Sequence, residues 1–138
     1  MTNSAHISHD AVLRARVALL GSAKPPLAER VAAYRVLAAV SPLAYLPLLA
    51  VALRKYGRRE FAHRPAVHLA LLAESVSVAR ELYARQPGRV GLLIDSLAVY
   101  REQLDRMERR AQAGAAAEEI GRLAAGEESP GPGGPATR

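Results

Sequence analysis

The stretch "VLAAVSPLAYLPLLAVAL", Val36 to Leu53, runs eighteen residues without a charge, bounded by Arg35 on one side and by Arg54 and Lys55 on the other. As one helix, at about 1.5 Å per residue, it would reach roughly 27 Å, close to the thickness of a bilayer core. A membrane span and a pair of packed helices are therefore the two ways this chain can begin to fold. Ser41-Pro42 decides between them. Serine suits a helix N-cap and proline the first helical position, where no amide is needed, so one helix ends there and another begins.

Apolar spacing organises the rest. Leu27, Val31, Tyr34 and Leu37 form the face of the helix before the break. Leu46, Leu49, Leu53 and Tyr56 form the face of the helix after it, closed by Gly57 and carrying Pro47 within about its first turn. Upstream, Leu13, Val17 and Leu20 share one face of a first helix, which ends over Gly21 to Pro26. Downstream, Pro65 opens a longer fourth helix. Its stripe of Leu72, Val76, Ala79 and Tyr83, widened by Val67, Leu71, Val78 and Leu82, predicts burial on two sides. In the fifth helix Leu93, Leu97, Tyr100, Leu104 and Met107 face the core, with Glu102–Arg106 and Asp105–Arg109 as polar-face pairs.

A weak sixth helix, Ala115 to Ala125, offers only Ile120 and Leu123 as large apolar anchors. The closing "GEESPGPGGPATR" is too polar and too rich in Gly and Pro to pack and predicts disorder. The expected organisation is an all-α domain over 1–111, a weak C-terminal helix over 112–126 and a Gly/Pro tail over 127–138.

The repeat supports the soluble reading. "LAERVAAYRVLAAVSP" (27–42) laid over "LAESVSVARELYARQP" (72–87) matches at eight of sixteen positions with a constant offset of 45, including Glu29 with Glu74, Arg35 with Arg80 and Pro42 with Pro87. The same offset sets the apolar third helix on the fifth, which carries Asp95, Arg101 and Glu102 and so is built for water on one side. Two helices per 45 residues is the pattern of a helical solenoid, in which each unit buries its face on the next.

The order "YRVLAAVSPLAYLPLLAVAL", "GRRE" (57–60), "AESVSVAREL" (73–82) and Pro87 resembles the long-period tetratricopeptide repeats of actinobacterial proteins, over about residues 27 to 107. The resemblance implies antiparallel helical hairpins, with Leu49, Ala50, Leu53 and Gly57 in a first repeat helix and Leu69, Val76, Leu82 and Pro87 in its partner. It also implies a protein or peptide partner held in a groove. The chain departs from the family where the polar "NNL" of the repeat helix is replaced by apolar and basic residues, and where about six extra residues follow "GRRE". Fewer than two full units remain, so a compact degenerate relative, or pairing with a second copy as a homodimer, is expected.

Composition narrows the chemistry. Without cysteine there is no disulfide framework, thiolate zinc site or cysteine nucleophile. The start "MTNSAHISHD" lacks the basic and apolar regions of an export signal, which makes the cytosol the expected compartment. His6 and His9 have the His-x-x-His spacing of a metal-ligand pair, with Asp10 close by, but no set of four ligands can be assembled, so Ser8 or Asp10 is read as a helix cap instead. His63 and His68 read as surface or loop histidines. No catalytic constellation or phosphate loop can be assembled, and neither an enzyme, a cofactor nor a metal is expected.

The net charge is +6, and its densest part is "RKYGRREFAHR". Arg54, Lys55, Arg58, Arg59 and Arg64 are accordingly the candidate partner-binding residues, as the basic rim of a protein-binding surface. The alternative is a nucleic-acid contact in which the same five neutralise phosphates. Membrane attachment through Val36 to Leu53 is a third, weaker reading.

Overall fold

A computed structural model describes residues 8–21 and 24–126. They form six α-helices: α1 (His9–Leu19), α2 (Leu27–Val40), α3 (Pro42–Glu60), α4 (Pro65–Arg85), α5 (Val90–Arg106) and α6 (Arg110–Gly126), with a 3-10 turn at Pro87–Arg89 between α4 and α5. Each helix packs on the next along the chain, and α3 also reaches α5. Among the described residues the architecture is all-helical, and no helix is long and apolar enough to cross a membrane.

The uncharged stretch is divided where its sequence divides it. Ser41 leaves the helical region (φ −137°, ψ 71°), closes α2 with its amide on Leu37 and precedes Pro42 at the first position of α3. Its hydroxyl makes no capping bond; the break rests on the backbone and the proline. Pro47 is the sixth residue of α3, past the first turn, so it removes an amide that would otherwise bond the Leu43 carbonyl.

The main core joins α2, α3 and α4. Val31 and Ala38 meet Leu46, Leu49, Ala50, Ala52 and Leu53, closed from the far side by Val78 and Leu82. A second cluster packs Val76 and Ala79 of α4 against Leu93 and Leu97 of α5 and Ala116 of α6. The fourth helix is thus buried on two sides, as its wide stripe predicts. Each fully buried leucine contributes about 1.5–3 kcal/mol relative to exposure, so these leucines carry most of the fold.

Several expectations give way. The Leu13, Val17 and Leu20 face of α1 does not point inward: the three are 58%, 66% and 80% exposed, and α1 instead packs on α2 through Ala15 with Val12 and Leu19 beside it. The inward leucine face fails because, among the described residues, α1 packs on one neighbour only, α2, and the side turned to it is that of Ala15.

Gly57 does not close α3, which continues to Glu60. A Cβ on Gly57 would lie 2.6 Å from Cδ2 of His68, so its missing side chain lets α4 approach α3. Asp105 pairs with Arg101 at 3.5 Å and not with Arg109, because α5 ends at Arg106 and Glu108 turns into the left-handed region (φ 58°). The sixth helix begins at Arg110 and packs on α5 through Ala113 and Ala116, small residues that carry no large-side-chain signal. The Gly/Pro tail lies outside the described residues.

The 45-residue offset reappears as geometry. Arg35 of α2 grips Glu74 of α4 with two bonds, Nε to Oε2 at 2.8 Å and Nη2 to Oε1 at 2.6 Å. Arg80 of α4 grips Glu119 of α6 in the same bidentate way, with Nη2 to Oε1 at 2.9 Å. Arg35 and Arg80 differ by 45, and so do Glu74 and Glu119. The two pairs are successive rungs of one ladder along α2, α4 and α6.

Candidate functional site

The five sequence-selected cations sit at the end of α3 and the turn into α4, but in different environments. Arg58, Arg59 and Arg64 are exposed, while Arg54 and Lys55 are half-buried. Arg64 stands just before α4 with its guanidinium 5.9 Å from the centre of the Phe61 ring, and Phe61 in turn meets Tyr56 edge-on at 5.1 Å. This aromatic pair fixes the turn.

Arg54 is turned inward and serves the fold. Its Nη1 donates to Ser96 Oγ at 3.4 Å, and burial lowers its pKa against the opposing pull of Asp95. Ser75 Oγ donates to the Ala50 carbonyl at 2.8 Å and lies 3.1 Å from Ser96 Oγ. Because the single Ser75 proton goes to Ala50, Ser96 donates to Ser75 and accepts from Arg54. A directed chain therefore runs from α3 through α5 and α4 and back to α3, and both serines are fully buried. Arg54 is better counted as part of this junction than as a free contact for a partner.

Arg58 opens on a cleft of about 250 Å³ lined by Ala62, Pro65, His68, Gln103, Arg106 and Met107. The cleft joins the start of α4 to the end of α5. Arg106 comes from far along the sequence and was missed by the charge-cluster reading. The signal for it was faint: one basic residue in the last turn of α5, visible only once α5 is laid beside α3 and α4.

Gln103 is buried, and its Nε2 donates to the Pro65 carbonyl at 3.4 Å, holding α5 to the first turn of α4. His68 is also buried, contrary to its reading as a surface or loop histidine, because Gly57 leaves room for the ring between α3 and α4. Burial first, and then the positive charges of Arg106 and Arg58, hold its pKa below the ordinary histidine value. Both effects favour the neutral over the protonated ring at the base of a doubly cationic cleft.

Neither Arg58 nor Arg106 forms an ion pair among the described residues. The first-turn amides of α4 add positive potential to the same place. The arrangement can attract a carboxylate. Among the described residues there is no group of three or more His, Cys, Asp or Glu that could hold a metal ion. His9 and Asp10 lie in α1, where Ser8 is the cap and accepts from the Ala11 amide at 3.3 Å; His6 lies outside the described residues. His63 is exposed. No family model, curated protein or solved structure matches this chain.

Proposed function

We propose that the chain is a non-catalytic protein-interaction module of helical-repeat type, a compact relative of the tetratricopeptide scaffolds, working in the cytosol. Its cleft at the α3–α4 turn takes an acidic segment of a protein partner. The observation that carries this reading is the convergence of Arg58 and Arg106, both without an acidic partner among the described residues, on one cleft beside the first turn of α4. Arg59 and Arg64 extend the basic surface, and Lys55 contributes from its half-buried position. Arg54 supports the site from within.

The test is titration with a fluorescent peptide rich in Glu and Asp, and in parallel with duplex DNA, at two salt concentrations. The acidic peptide binds, and the double charge reversal Arg58→Glu with Arg106→Glu weakens it at least tenfold while the helical circular dichroism is unchanged. Peptide binding indifferent to that double variant removes the cleft reading. Tighter binding to DNA, falling steeply with salt, transfers the surface to nucleic acid.

A further inference from the structure

The Arg–Glu ladder is open at its first rung. Glu29 is the 45-residue equivalent of Glu74, as Glu74 is of Glu119, and the two later acids each receive an arginine from the preceding even-numbered helix. Glu29 is exposed and forms no ion pair among the described residues. Beside it, between α1 and α2, lies a groove of about 280 Å³ lined by Ala11, Arg14 and Ala18 of α1 and by Glu29, Ala32 and Val36 of α2, with the buried Ala15 and Ala33 at its base.

The chain shows what such a groove receives. Along α4, Glu74 and Val78 face α2, which lies against α3 and reaches across to them. Their equivalents on α2 are Glu29, on the groove's rim, and Ala33, at its base. The groove on α1 and α2 therefore corresponds to the space that α2 occupies over α3 and α4, and that α4 occupies over α5 and α6. The exposed Leu13 belongs to a separate cleft on the other side of α1, with Val12 and Val40, and is not part of this groove.

We propose that this end docks an amphipathic helix of a partner polypeptide, seated as a further rung and giving an arginine to Glu29. The expected pattern is the one shared by the helices that fill the other two places: Val31-x-x-Tyr34-Arg35-x-x-Ala38 and Val76-x-x-Ala79-Arg80-x-x-Tyr83. Apolar burial supplies the affinity and the ion pair sets the register, since a half-exposed pair adds little by itself. A second copy of this chain does not fit, because both of its pattern helices are engaged inside their own stack. Its last helix carries Ala125 where the ladder would need the next arginine. The site is on a different face from the basic cleft and stands independently of it.

The probe is a labelled peptide of residues 72–86 carrying Ser77→Lys, with that amine joined to the Glu81 carboxyl as a lactam to hold it helical, titrated into the full chain and read by fluorescence anisotropy. It binds saturably at one site. Glu29→Arg weakens it at least fivefold, as does Arg80→Glu in the peptide, and combining the two restores binding. Ala32→Phe fills the groove and abolishes binding with the melting temperature unchanged, whereas reversal of Arg58 and Arg106 leaves it intact. No saturable binding, binding that survives both Glu29→Arg and Ala32→Phe, or failure of the charge swap to restore it overturns the proposal. So does a dimer in sedimentation velocity that Glu29→Arg dissolves, since a second copy would then own the groove.

Discussion

Helices α1 and α3 carry the same kind of apolar spacing and meet different fates. On α3, Leu46, Leu49 and Leu53 are buried, because the helix touches α2, α4 and α5. On α1, Leu13, Val17 and Leu20 make an equally regular stripe, yet they face outward and the small Ala15 is the residue that packs. Periodicity says that a helix has an apolar face. The number of neighbours says whether that face is used, and in a stack that number depends on distance from the end.

Truncating one leucine on each helix separates their two fates most strongly. Leu53→Ala lowers unfolding stability by about 2–5 kcal/mol, the range for a leucine removed from a packed core, while Leu13→Ala stays within about 0.5 kcal/mol. Chemical denaturation of the two variants measures both. Equal losses would mean that α1 buries its stripe in solution and that the contrast is wrong.

A smaller effect sharpens it from the α3 side. Gly57→Ala costs about 1–3 kcal/mol, since the added methyl meets the His68 ring at 2.6 Å and forces the helices apart. Combining it with His68→Ala recovers part of the loss if that contact is the cause. Full additivity in a double-mutant cycle would contradict it.

The smallest expected effect is a pH dependence at the same contact. The folded chain resists protonating His68, because burial and then Arg106 and Arg58 depress its pKa, whereas the unfolded chain takes the proton near the ordinary value of about 6.5. The stabilisation is thus complete above that value and is lost as pH falls from there through the lowered folded pKa. Melting temperatures recorded between about pH 7.5 and 5 should fall more for the wild type than for His68→Gln. Parallel profiles would show that the ring does not sense its surroundings.

Much of this architecture was legible in the residues. Ser41-Pro42 showed where the uncharged stretch divides, because proline's fixed geometry acts locally. The repeat already paired Arg35 with Arg80 and Glu29 with Glu74; the ladder was one step further, hidden because α6 keeps Glu119 but little else of the pattern. Features set by distant neighbours were not legible. Gly57 looked like a helix stop and is a point of lateral approach. His68 looked free and is enclosed. Of the basic cluster, Arg58 is in the cleft, but its companion Arg106 belongs to another helix, and Arg54 is drawn into the interior by two serines that no charge count could reveal.

Those serines bear on how the stack avoids slipping. Leucine and alanine surfaces are nearly self-similar from one turn to the next, so α4 could slide by about 5.4 Å along α3 and still find hydrocarbon opposite hydrocarbon. The Arg54–Ser96–Ser75–Ala50 thread has no second alignment of that kind: a slide would leave two hydroxyls buried without partners, at about 1–3 kcal/mol each. Three helices that shape alone would let drift are indexed against one another by a few protons.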